Sequence, residues 1–77
     1  MEMLYDIVSK AIENHNNIVL GFNNNEYTLK NLTNCKWNSD SKFVLIYYSI
    51  PIYEGVNYDK IFCFNIDTLN YIIFDEV

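Results

Sequence analysis

Leu4-Tyr5-Asp6-Ile7-Val8-Ser9-Lys10-Ala11-Ile12-Glu13-Asn14-His15-Asn16-Asn17-Ile18-Val19-Leu20-Gly21-Phe22 is the stretch in which the hydrophobic period changes. Leu4, Ile7, Val8, Ala11 and Ile12 recur at i, i+3, i+4, i+7 and i+8, which is one face of an amphipathic helix. Asp6 and Lys10 form an i,i+4 pair in the favourable order. Glu2 and Asp6 lie in the first turns, where the helix dipole favours acids. The spacing predicts a helix over residues 2–15. It is ended by His15-Asn16-Asn17, because Asn tolerates the left-handed conformation of a helix C-cap. From Ile18 the period is two: Ile18, Leu20 and Phe22 alternate with Val19 and Gly21, as on a strand.

Downstream, the period of two continues between turn signals. Asn23-Asn24-Asn25 is a turn. Glu26 to Leu32 reads as the return strand, extended or bent through Cys35 and Trp37. Asn38-Ser39-Asp40-Ser41 is a second turn. Phe43-Val44-Leu45-Ile46-Tyr47-Tyr48 is apolar on both faces, which predicts a central strand or one covered on both sides. Pro51 either ends its ladder or places that end at a sheet edge. A loop follows at Glu54-Gly55-Val56-Asn57. Ile61 to Ile66 and Leu69 to Val77 are the last strands, joined tightly through Asp67-Thr68. Gly21, inside a strand, predicts a bulge or a bend. The expected fold is α+β: an N-terminal helix, then about five antiparallel strands in a barrel-like meander. Closure of that kind removes the sheet edges.

The chain has 77 residues, which predicts one domain over residues 1–77. A chain this short buries only roughly 60–65% of its unfolded surface. Its core must therefore be dense, and seven Tyr, five Phe and one Trp supply large side chains for it.

Two segments resemble the WYL domains, Sm-like and SH3-like small barrels of bacterial regulators. Lys42-Phe43-Val44-Leu45-Ile46-Tyr47-Tyr48 looks like the strand that names the family. Phe62-Cys63-Phe64-Asn65-Ile66-Asp67-Thr68-Leu69-Asn70-Tyr71-Ile72 looks like its closing hairpin. The resemblance spans residues 18–74 and implies a barrel. Phe43-Val44-Leu45 stands where the family has Trp-Tyr-Leu. Cys63, Asn65, Asp67 and Thr68 occupy the stretch where the family carries basic ligand-sensing residues.

Charge excludes one class of function. Ten acids oppose five lysines and no arginine, for a net charge of −5. Lys10, Lys30, Lys36, Lys42 and Lys60 are scattered, so no basic stripe is available for direct nucleic-acid binding. The acidic start, Met1-Glu2-Met3-Leu4-Tyr5-Asp6, is unlike a secretory signal. The longest apolar stretch, Phe43 to Tyr53, is far short of the ~20 residues of a membrane span. A cytoplasmic protein with no membrane contact is expected.

The residues also offer little for catalysis. His15, the only histidine, lies at a helix end beside flexible Asn, a poor position for a preorganised base. Cys35 and Cys63 match no zinc module. Reduced, buried thiols are the default for them, with a disulfide or redox pair and a metal site as alternatives. The two glycines are too far apart for a phosphate loop. No enzyme, metal or cofactor is expected.

Binding residues are read from aromatics and acids. Tyr53 and Tyr58 flank the loop at Gly55, and exposed Tyr is enriched in binding hot spots. Glu54, Asp59, Asp75 and Glu76 gather in the C-terminal half, with Asp67, opposed there only by Lys60. An acidic face with exposed aromatics suits a protein partner with a basic surface. A solvated face that keeps a hydrophobic domain soluble accounts for the same acids. The expected function is a small, non-catalytic, protein-binding protein. Size and charge liken it to anti-CRISPR and DNA-mimic inhibitors, which phages and mobile elements direct at nucleic-acid-binding host proteins. The alternative is a self-associating Sm-like or WYL-like module, a homo-oligomer with a regulatory or ligand-sensing role.

Overall fold

Helix α1 (Glu2–Glu13) forms where the sequence carries the 3.6-residue period. Leu4, Val8 and Ala11 are buried along it, with Ile12 packed against the same cluster. It ends two residues before the expected limit. The Asn16 N–H donates to the Ala11 carbonyl (2.8 Å) and the His15 N–H to the Ile12 carbonyl (3.2 Å). This bonding pattern needs a left-handed residue just past the helix. That residue is His15, with φ 58°, and not one of the asparagines.

A β-carbon in the left-handed region costs roughly 1–2 kcal/mol, and glycine avoids the cost. His15→Gly should therefore raise stability by about 1 kcal/mol, read as a higher urea midpoint with an unchanged slope. A lower midpoint would mean that the imidazole itself holds the helix end.

The computed structural model describes residues 2–38 and 40–75. Six antiparallel strands follow α1: β1 (Asn17–Gly21), β2 (Glu26–Leu29), β3 (Leu32–Asn38), β4 (Phe43–Tyr53), β5 (Val56–Asn65) and β6 (Tyr71–Asp75). They form two three-stranded sheets, ordered β2-β1-β6 and β3-β4-β5. The fold is α+β, as expected. Among the described residues no ladder closes the sheets into a barrel. The strand count exceeds the expected five because the return strand is divided. Lys30 and Asn31 separate β2 from β3, and Asn31 is left-handed, with φ 54°. The Asn31 carbonyl accepts from the Ser49 N–H (3.1 Å), and Asn31 Nδ2 donates to the Ser49 carbonyl (3.3 Å). This clamp marks the point where the chain leaves the sheet of β1 and joins β4.

The core lies between the two sheets and under α1, which packs against β3 and, less extensively, β1. Ile18, Leu20 and Leu29 enter it from the first sheet. Cys35, Val44, Ile46 and Phe64 enter from the second. The described residues include no buried polar or charged one. Cohesion therefore rests on apolar burial, at roughly 1.5–3 kcal/mol for each large side chain removed from water.

β4 is the central strand of its sheet, as its composition predicts. Its second face is only partly covered, however: Leu45 and Tyr47 are half-buried there and Phe43 is exposed. Pro51 does not end the ladder: it pairs with Asn57, and β4 continues to Tyr53. Ser49 turns its backbone groups toward β3, so by alternation Pro51 does the same. β3 has left by that point, and the missing N–H of Pro51 deprives no neighbour.

Gly21 is neither a bulge nor a bend. It lies between Tyr71 and Glu26 on the neighbouring strands. The Tyr71 ring covers the space where a β-carbon would stand, and its hydroxyl donates to a Glu26 carboxylate oxygen. That bond to an anion raises the Tyr71 pKa above the ordinary phenol value.

Candidate functional site: the β4–β5 hairpin and the groove at its base

The β4–β5 pairing runs from Phe43↔Asn65 to Tyr53↔Val56 and extends past the core. The described residues extend over 38 × 25 × 22 Å. Gly55, with φ 77° and open space around it, makes the turn beside Glu54. Every residue from Ile50 to Ile61 is exposed. Tyr53 retains 68% of its surface, Tyr58 55% and Ile52 54%.

Alternation divides this ribbon into two faces. Val44, Ile46 and Tyr48 point inward on β4, opposite Phe64, Phe62 and Lys60 on β5. Ile50 and its partner Tyr58 continue that inward stripe beyond the part that α1 and the first sheet cover. Lys60 Nζ stands 6.0 Å from the centre of the Tyr58 ring. Asp59, opposite Ser49, and Ile61 lie on the other face.

The structure thus brings together four of the residues singled out in the sequence: Tyr53, Glu54, Tyr58 and Asp59. Asp75 lies elsewhere, at the end of β6 opposite Asn17 in the other sheet. Glu76 is outside the described residues. The acids of the C-terminal half are therefore spread over two sheets, because the tight connection after β5 carries the last strand to β1.

Sequence reasoning missed a groove of about 560 Å³ at the base of the arm. Tyr27, Leu29, Tyr48, Ile50, Pro51 and Phe62 are among its walls and floor. Tyr27 and Phe62 meet at a tilt of 56° with ring centres 5.1 Å apart, and Phe22 meets Phe64 edge to face at 5.5 Å. The alternation of Phe62 and Phe64 was legible. Their meeting with Phe22 and Tyr27 depends on how the two sheets pack.

The groups considered for catalysis are dispersed. His15 lines another pocket, beside Ala11, Lys30 and Leu32. Cys35 faces the core and Cys63 is exposed; both are free thiols. They pair with neighbouring residues of β4, Ile46 and Leu45, from opposite sides and on opposite faces, so no disulfide joins them. Burial pushes the Cys35 thiol up to about 11. At neutral pH it stays protonated and is a poor nucleophile. Among the described residues, no three His, Cys, Asp or Glu side chains are grouped to hold a metal ion. No helix among them is long and apolar enough to cross a membrane. No family model matches the chain, and no curated protein or solved structure compared with it matches either.

Proposed function

We propose that this is a non-catalytic protein-binding module that docks through the β4–β5 hairpin onto a partner with a basic surface. One observation carries the reading. The ribbon from Ile50 to Ile61 leaves Ile50, Ile52, Tyr53, Val56, Tyr58 and Ile61 in water. Large apolar residues grouped on a projecting element mark interaction surfaces in soluble domains, and Tyr anchors are frequent hot spots. The partner's charge follows from this chain's own: net −5, with Glu54 and Asp59 on the ribbon against Lys60. A basic groove that normally holds nucleic acid is the surface that this combination suits. An inhibitor of a nucleic-acid-binding host protein, carried by a phage or mobile element and cytoplasmic in action, is the biological form we favour.

The second reading is self-association as an Sm-like or WYL-like module. The path β6-β1-β2, then through Asn31 to β3-β4-β5, is a single meander. Pairing of β5 with β6 would close it into the barrel of that family. Equal light-scattering mass at two concentrations, matching one chain, counts against this reading.

Affinity capture from the native host, followed by kinetics on the captured protein, tests the docking reading. Tyr53→Ala and Tyr58→Ala should each speed dissociation by roughly tenfold or more. Asp59→Asn with Glu54→Gln should instead slow association several-fold and flatten its salt dependence. Retention that survives both tyrosine substitutions would sink the proposal. So would clear retardation of DNA by the isolated protein at roughly 50 mM salt.

A further inference from the structure

We infer that the groove between β2 and β4 takes an extended peptide segment of the basic partner as an added strand on β2. The inference rests on the protein-binding reading above and names what part of the partner is recognised.

The argument starts from backbone groups. The Phe22 N–H donates to the Asn25 carbonyl at 2.8 Å, closing the β1–β2 turn. In the same register Leu20 pairs with Tyr27 and Ile18 with Leu29. Antiparallel strands alternate, so Tyr27 and Leu29 direct their N–H and C=O groups to β1. Glu26 and Thr28, and Lys30 just beyond, direct theirs to the opposite side. Among the described residues β1 is the sole neighbour of β2 in its sheet, and these residues line the groove. One wall is therefore a strand edge with free donors and acceptors.

The other wall differs. Alternation from Ser49 turns Pro51 toward the groove, and Pro51 has only a carbonyl to offer. Proline on an edge discourages strand addition there. β2 is the receptive edge and β4 the guarded one. The Asn31–Ser49 clamp joins the two walls at the fork, and beyond it they diverge into different sheets.

The floor sets the side chains. Leu29, Tyr48 and Phe62 line the groove together with Tyr27 and Ile50. A strand added to β2 would drop every second residue onto this apolar surface. A helix satisfies its own backbone and would leave Glu26 and Thr28 unpaired, so the occupant is extended. Glu26 and Lys30 are the charged residues among the groove's lining, so the charge of the whole chain sets the preference. In a chain of net charge −5, that favours Lys or Arg in the occupant. A second copy brings the same negative charge and is the less suitable guest.

The probe is a random-peptide display library selected on the intact protein, followed by synthesis of an enriched peptide. Enriched sequences should alternate apolar and basic residues. In ¹⁵N NMR, the Glu26, Thr28 and Lys30 amides should shift and gain protection from hydrogen exchange. Thr28→Pro removes one outward N–H while sparing the β1 ladder, and should weaken peptide binding by several-fold to about tenfold. The peptide supplies an independent measurement if that variant does not fold. N-methylation at alternate backbone positions should abolish binding in one phase and leave it intact in the other.

The inference is overturned if the bound peptide is helical, if both methylation phases bind alike, or if the shifts fall only on the hairpin. It is also overturned if the protein forms a dimer that Thr28→Pro dissolves, which would assign the edge to a second copy. Tyr53→Ala separates the two proposals. It should weaken capture of the partner and leave peptide binding unchanged. Peptide binding without any hairpin effect on the partner would remove the docking reading alone. Hairpin-dependent capture without any peptide selected would remove this inference alone.

Discussion

Ile46→Ala should cost about 2–5 kcal/mol and leave much of the chain unfolded at physiological temperature. Ile46 is fully buried, at 0% exposure, in the middle of the central strand. It pairs with Cys35 on one side and Phe62 on the other. The cavity left behind cannot refill, because both neighbouring strands are held in register along most of β4. A domain of this length has roughly 4–12 kcal/mol of total stability, so the loss is a large share of it. Ile61→Ala, on β5 beside Tyr47, removes the same atoms from a side chain that is 56% exposed. It should cost less than about 0.5 kcal/mol. Urea unfolding of both variants provides the comparison. Equal losses would mean that the second sheet is packed on the wrong face.

Gly21→Ala should cost about 1–3 kcal/mol although Gly21 sits in a strand, where alanine is ordinarily no worse. The cause is the Tyr71 ring, which occupies the position of the new methyl group. Moving the ring also breaks the hydroxyl bond to Glu26. The cost should therefore depend on Tyr71. In a Tyr71→Ala background the same substitution should be close to neutral, so a double-mutant cycle should show coupling of similar size. Additive losses would show that the glycine is required by its backbone and not by its neighbour.

Much of this molecule was decided by residues close together in sequence. The helix follows from Leu4, Val8 and Ala11 at intervals of about one turn. Its end follows from a polar run beginning at His15. The change to period two at Ile18, the turn at Asn23-Asn24, and the central position of Phe43–Tyr48 were legible for the same reason. Each depends on side-chain spacing and backbone preference within a few residues. The grouping of Tyr53, Glu54, Tyr58 and Asp59 was legible too, because one tight hairpin holds them all.

Tertiary structure decided what lies opposite what. The left-handed Asn31 divides the return strand, and its bonds to Ser49 join residues distant in sequence. The covering of Gly21 by Tyr71 and the meeting of Tyr27 with Phe62 likewise require the two sheets to be placed first. The placement of Asp75 away from Asp59 follows from the pairing of β6 with β1. Exposure of the hairpin is the clearest case. Ile46 and Phe62 have the same pattern as Ile50 and Tyr58, and no local signal separates the pairs. The first pair lies beneath a second layer and the other extends beyond it. Alternation specifies which face of a strand is apolar, but only the reach of the covering layer decides where along the strand that face meets water.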